Sequence, residues 1–265
     1  MLVNGMLTNC EVWYNLTTIQ IEVLEGIDMM LLRKVLNAHS KTPKEAFYLE
    51  AGLIPFRFII AKRRFMFLWN ILKRDDQDMV KNSYKVQKLN PVKGDWTISI
   101  EQDKEYYGIT HTDEELANMS QGQLKDYINR KVNIKALEYL NSTAISHSKS
   151  QRLTKSEVKS EDYLTSNKFS RSEAELLFAL RTRMTKTKMN FKMLHGQDIF
   201  CTACKLQPET QQHLLQCPIL TQNISIPSDL EYEDLYKSTD YQQRIVRLFK
   251  EVLRQKEIFE AIHIA

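Results

Sequence analysis

One short segment constrains this chain more than any other. Residues 201–218 read Cys201-Thr-Ala-Cys204-Lys-Leu206-Gln-Pro208-Glu209-Thr210-Gln-Gln-His213-Leu214-Leu215-Gln-Cys217-Pro218, a Cys-x2-Cys-x8-His-x3-Cys spacing. Two cysteines separated by two residues suit a tight turn that aims both sulfurs at one ion. Thr210 can cap a short helix, which places His213 and Cys217 four residues apart on one face, and Pro218 stops its continuation. Four protein ligands make a closed tetrahedral shell. Cys201, Cys204, His213 and Cys217 are therefore expected to hold a structural Zn2+, with no open position for an activated water. Leu206, Leu214 and Leu215 would supply a small core around it. Zinc binding contributes on the order of 10–16 kcal/mol in small zinc peptides, so the segment is expected to fold only with metal. The alternative is three packed cysteines beside an unrelated histidine.

Cys10, the fourth cysteine, lies alone near Trp13 and reads as a packed thiol. The N-terminus lacks a basic region followed by an apolar core, so a reduced intracellular setting, nuclear or cytoplasmic rather than secreted, is expected. The longest apolar run, 53–61, is interrupted by Arg57 and falls short of the roughly 18–20 residues of a membrane span.

The chain has 265 residues, long enough for one large or two small domains, and only 7 Gly and 6 Pro. That scarcity favours a mainly α fold. Leu24, Ile27, Leu31 and Val35 recur at helical spacing and are expected to share a face. Thr42-Pro43-Lys44-Glu45 and Thr112-Asp113-Glu114-Glu115 read as capping boxes. The segment 56–72 is apolar around most of its circumference, as in a helix buried on more than one side. Trp96 to Ile100 alternates and could form one short strand, and a helix is expected from about Gln123 to Ala144. Residues 146–160 are rich in Ser, Lys and Thr. The expected organisation is a helical N-terminal domain over 1–145, a polar linker over 146–169, and a basic helix with the Cys/His module over 170–222. An amphipathic helix, with Ile245, Leu248, Phe249, Val252 and Phe259 inward, then occupies 223–265.

Net charge is only +4, but residues 149–192 hold eleven Lys or Arg against five Asp or Glu, a local +6 that leaves −2 for the rest. Arg181, Arg183, Lys186, Lys188 and Lys192 fall in a stretch without a carboxylate, and Phe191 and Phe200 lie nearby. Cations that hold phosphates beside rings that stack on bases suit RNA or single-stranded DNA. Lys62, Arg63 and Arg64 are further candidates for a phosphate backbone; the plainer reading of both groups is a solvated helix face. Glycine-rich phosphate loops and the G-x-S-x-G nucleophile turn are absent from the sequence. Asp75, Asp76 and Asp78 follow Lys73-Arg74 and read as a solvated charge cluster rather than a catalytic metal site.

With these residues in view, the chain resembles the C-terminal part of the polyprotein of non-LTR (LINE-type) retrotransposons. Glu11-Val-Trp13-Tyr14 is similar to that family's E-x-W element, and Leu31-Leu32-Arg33-Lys34-Val35-Leu36 to its L-L-R-K-I-L helix. Pro43-Lys-Glu45-Ala46 with Leu49-Glu50-Ala51-Gly52-Leu53-Ile54-Pro55 resembles its P-x-E-A…L-E-x-G-x-x-P segment. Arg63-Arg64 through Ile71-Leu72, then Leu180-Arg181-Thr182-Arg183-Met184 and Asn190-Phe191, follow in the family's order. Glu209-Thr210-Gln211-Gln212-His213-Leu214-Leu215-Gln216-Cys217-Pro218 is similar to its E-T-x-x-H-L-L-x-C-P zinc knuckle. The family's aromatic-x-Asp-Asp palm motif does not occur in this sequence. The resemblance implies a thumb-like helical region and a zinc knuckle that bind nucleic acid without catalysis. It also implies a reverse transcriptase palm, encoded upstream, as a partner. The rival expectation is a helical protein–protein scaffold in which the knuckle is only a folding staple.

Overall fold

The computed structural model describes residues 5–13, 16–191, 198–228 and 230–263. The fold is mainly α, and the β pairing among the described residues is a single antiparallel bridge between Phe200 and Pro208. The helices are α1 (Thr18–Val35), α2 (Lys44–Ala51), α3 (Phe56–Leu72), α4 (Met79–Leu89), α5 (Trp96–Tyr107), α6 (Asp113–Asn118), α7 (Gln121–Ser146), α8 (Asp162–Thr165), α9 (Arg171–Arg181), α10 (Gln211–Gln216) and α11 (Thr239–His263). Short 3-10 turns occupy Cys10–Val12 and Tyr232–Tyr236. No helix of the described residues is long and apolar enough to cross a membrane.

Local chemistry sets several starts. Thr112 caps α6 and Ser170 caps α9, each in a reciprocal box with Glu115 or Glu173. Asp78 caps α4 by accepting from the amides of Val80 and Lys81, which puts that carboxylate to structural use. The expected box at Thr42 does not form. The Glu45 carboxylate instead accepts the Ser150 hydroxyl at 2.7 Å, and Thr42 Oγ1 has no partner among the described residues. Residues 96–100 are helical rather than a strand: Trp96, Ile100 and Tyr107 share the apolar face of α5.

The chain divides into two compact units. The first comprises Met1–Leu31, Gly52–Thr143 and Thr154–Lys159. Its core joins Phe58, Phe65 and Leu68 of α3 to Ile100, Leu116 and the α7 stripe. That stripe is every fourth residue, Leu124, Ile128, Val132 and Ala136. Burying each of the larger side chains, Leu124, Ile128 and Val132, contributes about 1.5–3 kcal/mol. A satellite cluster packs Leu7 and Cys10 on Phe56 and Ile60, so Cys10 is the packed thiol expected.

The second unit comprises Leu32–Ala51, Ala144–Leu153 and Ser160–Ala265. It buries Phe47 against Phe178, ring centroids 5.1 Å apart, and α9 packs on α11 and the 232–236 turn. These units replace the expected boundaries. The stretch 146–169 is built into the structure: Ser150, Leu153 and Tyr163 are buried, and the Glu161 amide donates to the Glu50 carbonyl at 2.9 Å. Residues 223–265 likewise belong to the second unit, with α11 against α9 and α10.

Helix α1 also departs from expectation. Glu25 turns inward to Arg57 at 3.1 Å, and Asp28 and Met29 are buried with it. Ile19, Val23, Met30 and Val35 are left more than 60% exposed.

Candidate metal centre

The four ligands come from two short pieces of chain in the second unit. Cys201 and Cys204 sit on a turn closed by the Cys201 amide donating to the Gln207 carbonyl at 2.8 Å. The Glu209 amide donates to the Ile199 carbonyl at 2.8 Å and completes the pairing around the Phe200–Pro208 bridge. Lys205 takes the left-handed conformation, φ 57°, so the chain reverses immediately after Cys204. Thr210 caps α10 through the His213 amide at 3.0 Å, and one helical turn then separates His213 from Cys217.

All four ligand atoms lie within 4.8 Å of one another, and none of the cysteines is in a disulfide. Cys201 and Cys217 sulfurs are 3.7 Å apart, and Cys204 Sγ is 3.3 Å from His213 Nε2. A tetrahedral ion with metal–sulfur bonds of about 2.3 Å requires sulfur–sulfur edges of about 3.8 Å, so the donor set fits one ion. Burial pushes the Cys201 thiol up to about 12. At Cys204, burial pushes the same way but the amides of Leu206 and Gln207 outweigh it and hold the thiol below its ordinary value. Thiolate is the form that binds metal, so loading this cluster releases protons and strengthens as pH rises.

Glu209 lies between the two ligand pairs and is fully buried. Its Oε1 accepts from the Lys188 amide at 3.1 Å and the Lys256 ammonium at 2.6 Å, and its Oε2 faces the amide and hydroxyl of Thr202 at 3.4 Å. Burial raises this carboxyl, but Lys256 and the two amides more than offset it, so it titrates below the usual carboxylate range. Gln211 accepts from the Thr185 hydroxyl at 2.8 Å and donates to the Leu180 carbonyl at 2.7 Å.

Comparison with protein-family models, with curated proteins and with solved structures finds no match for the chain.

The expected phosphate contacts separate into groups. Arg181 is buried, not presented: its guanidinium grips Glu50 bidentately at 2.8 and 3.0 Å and donates to the Leu235 carbonyl at 2.7 Å. Lys62, Arg63 and Arg64 also turn inward, within the first unit. Lys62 donates to Asn133 at 2.8 Å, Arg63 to the Leu7 carbonyl at 2.6 Å, and Arg64 pairs with Asp103 at 2.8 Å. Burial lowers the Lys62 ammonium to about 8 and lifts the Asp103 carboxyl to about 6. Lys188 is largely covered and tied to Asp198 at 2.6 Å. Arg183 is half-buried and reaches the Tyr236 phenol. Lys186 is exposed. Phe191 is half-buried, edge-on to His39 at 4.5 Å, and lines a groove of about 660 Å3 with Lys186, Leu176, Met184 and Leu253. Lys192 lies outside the described residues.

Three residues flank the ligand turn in the open: Phe200, which the sequence sets beside the basic stretch, Leu206, expected in the small core around the metal, and Lys205, which sequence reasoning left unassigned. Phe200 is 44% exposed and Lys205 is exposed too; Leu206, 75% exposed, takes no part in the expected core, whereas Leu214 is buried. Their sequence signal is position. A residue just before the first cysteine, or just after the second, sits on a turn pinned by metal, where core is scarce.

Proposed function

We propose that the second unit is a zinc-stapled module that grips single-stranded nucleic acid, RNA or DNA, through the face around its Cys/His turn. The observation that carries this reading is the ligand cluster itself, whose turn exposes Phe200, Lys205 and Leu206 together. Three thiolates and one imidazole at tetrahedral spacing favour Zn2+, and a complete protein shell makes it structural. Zinc would fix the turn, Phe200 would offer a ring to a base, and Lys205, Lys186 and Arg183 would meet phosphates. The groove that Lys186 and Phe191 line would take further nucleotides of the strand. The motif order that resembles the end of a retrotransposon polyprotein supports placing this grip beside a reverse transcriptase palm, as a binding rather than a catalytic element.

The test is a titration of the full, metal-loaded chain with short homopolymeric RNA and DNA. Single strands give a slope of about 0.7 per neutralised phosphate, so three contacts predict about a twentyfold loss of affinity between roughly 50 and 200 mM salt. No salt-sensitive affinity for any single strand would overturn the reading.

A protein-docking role has one observation in its favour, the exposed row Ile19, Val23 and Met30 on α1. An apolar interface of that kind would bind with little dependence on salt.

A further inference from the structure

The loop 182–191 that carries Arg183, Lys186 and Lys188 has little regular structure of its own. Asn190 ties it internally by donating to the Arg183 and Thr185 carbonyls at 2.9 and 2.8 Å, and the segment between the metal ligands anchors it from outside. The Lys188 amide donates to the Glu209 carboxylate at 3.1 Å and the Met189 amide to the Glu209 carbonyl at 3.2 Å. The Thr185 hydroxyl donates to Gln211 at 2.8 Å. On its other oxygen, Glu209 faces Thr202, which stands between Cys201 and Cys204. The same carboxylate receives Lys256 from α11 at 2.6 Å. One buried group therefore touches the ligand turn, the basic loop and the last helix.

We infer that Glu209 is the positioning residue through which metal occupancy shapes the basic loop, so that the loop holds its phosphate-facing form only while the knuckle is loaded. The chain of cause is local. Metal pins Cys201 and Cys204, the pinned turn presents Thr202, and Thr202 and Lys256 fix the carboxylate that anchors Lys188. Without metal the turn carries three thiols and loses its tether, and the anchor loses its orientation. A buried acceptor with several donors is costly to leave partly paired, so the loop and the turn open together. Metal supply would then regulate nucleic-acid affinity without any metal contact to the strand. This last step rests on the function proposed above; the coupling of metal to loop does not.

The experiment is amide hydrogen exchange on the full chain, resolved at Lys188 and Met189, with zinc content and single-strand affinity measured on the same samples. Metal-loaded wild type should protect both amides. Chelation should accelerate them at least about tenfold while α9 amides and the first unit stay protected. Glu209→Ala should retain one equivalent of zinc yet exchange Lys188 at the chelated rate, and Glu209→Gln, which keeps an acceptor oxygen, should restore protection. Wild-type protection in loaded Glu209→Ala, or in chelated wild type, would overturn the inference. If Glu209→Ala does not take up metal, the chelated wild type and Glu209→Gln decide by the same amide. Metal-dependent exchange in a chain that binds no nucleic acid would leave the coupling standing and remove the proposed function. Binding that persists with exchange independent of metal would do the reverse.

Discussion

The guanidinium of Arg181 and the carboxylate of Glu50 form a buried bidentate pair, at 2.8 and 3.0 Å, across 131 residues of sequence. Tyr163 adds its hydroxyl to the same carboxylate at 2.6 Å. Breaking such a pair from one side strands a buried charge. Arg181→Gln should destabilise the second unit by about 3–5 kcal/mol, and Glu50→Gln by a similar amount. Arg181→Met with Glu50→Leu should recover much of the loss. Denaturant unfolding of the single and double variants checks this, and an unchanged midpoint for Arg181→Gln would contradict the buried pair.

Arg183 occupies the left-handed position that ends α9, with φ 54°. Its amide donates to the Leu180 carbonyl at 3.1 Å and that of Met184 to the Ala179 carbonyl at 2.8 Å, the closing bonds of a Schellman motif. Glycine suits this position better. Arg183→Gly should raise stability by up to about 1 kcal/mol while removing one phosphate contact, and so lower the salt slope of binding by about 0.7. Melting and binding on one sample separate the two effects. A variant that is more stable yet binds with the wild-type slope would remove Arg183 from the interface.

Lys62 titrates near 8 in the fold against an ordinary 10.5 because burial disfavours its charge. Below about pH 8 both states carry the proton. Between about 8 and 10.5 the unfolded chain holds more, so this group's contribution to stability rises with pH. A drop from 10.5 to about 8 corresponds to an upper bound of about 3.5 kcal/mol at about 1.4 kcal/mol per unit, and solvent screening of the partly exposed ammonium keeps the contribution below it. Lys62→Met removes the buried charge but also the bond to Asn133. It should unfold later than wild type at pH 7 by about 1–2 kcal/mol, with the gap closing toward pH 10.5. A gap independent of pH would contradict the buried ammonium.

The exposed Phe200 and the half-buried Phe191 should behave differently. Phe200→Ala should leave the melting temperature within a degree or two while weakening single-strand binding by roughly 1–3 kcal/mol. Phe191→Ala removes the edge contact to His39 and should lower the melting temperature, with the larger part of any binding loss following from it. Equal binding by Phe200→Ala and wild type would exclude stacking at that ring.

The metal ligands were legible because all four lie within one short stretch, where spacing, a threonine cap and a proline stop fix their geometry locally. The capping box at Thr112 was legible for the same reason, whereas the one read at Thr42 does not form because Ser150, far along the chain, takes the Glu45 carboxylate. What escaped depends on distant partners. Composition counts Arg181 as a surface cation, yet Glu50 draws it into the core. Lys62, Arg63 and Arg64 look like one basic patch, but Asn133, Leu7 and Asp103 each take one inward. Polar residues 146–169 resemble a linker, whereas Ser150 and Tyr163 are bound by acids on α2. The spacing of Leu24, Ile27, Leu31 and Val35 marks a helix, but the Glu25–Arg57 pair decides which side of it turns in.

Zinc stoichiometry tests the central claim most directly. Full-length protein purified without chelator, analysed for metal alongside a Cys217→Ala variant, should carry one equivalent of zinc in the wild type and well under half in the variant. Less than half an equivalent in the wild type, or a full equivalent in Cys217→Ala, would contradict a four-ligand centre at Cys201, Cys204, His213 and Cys217.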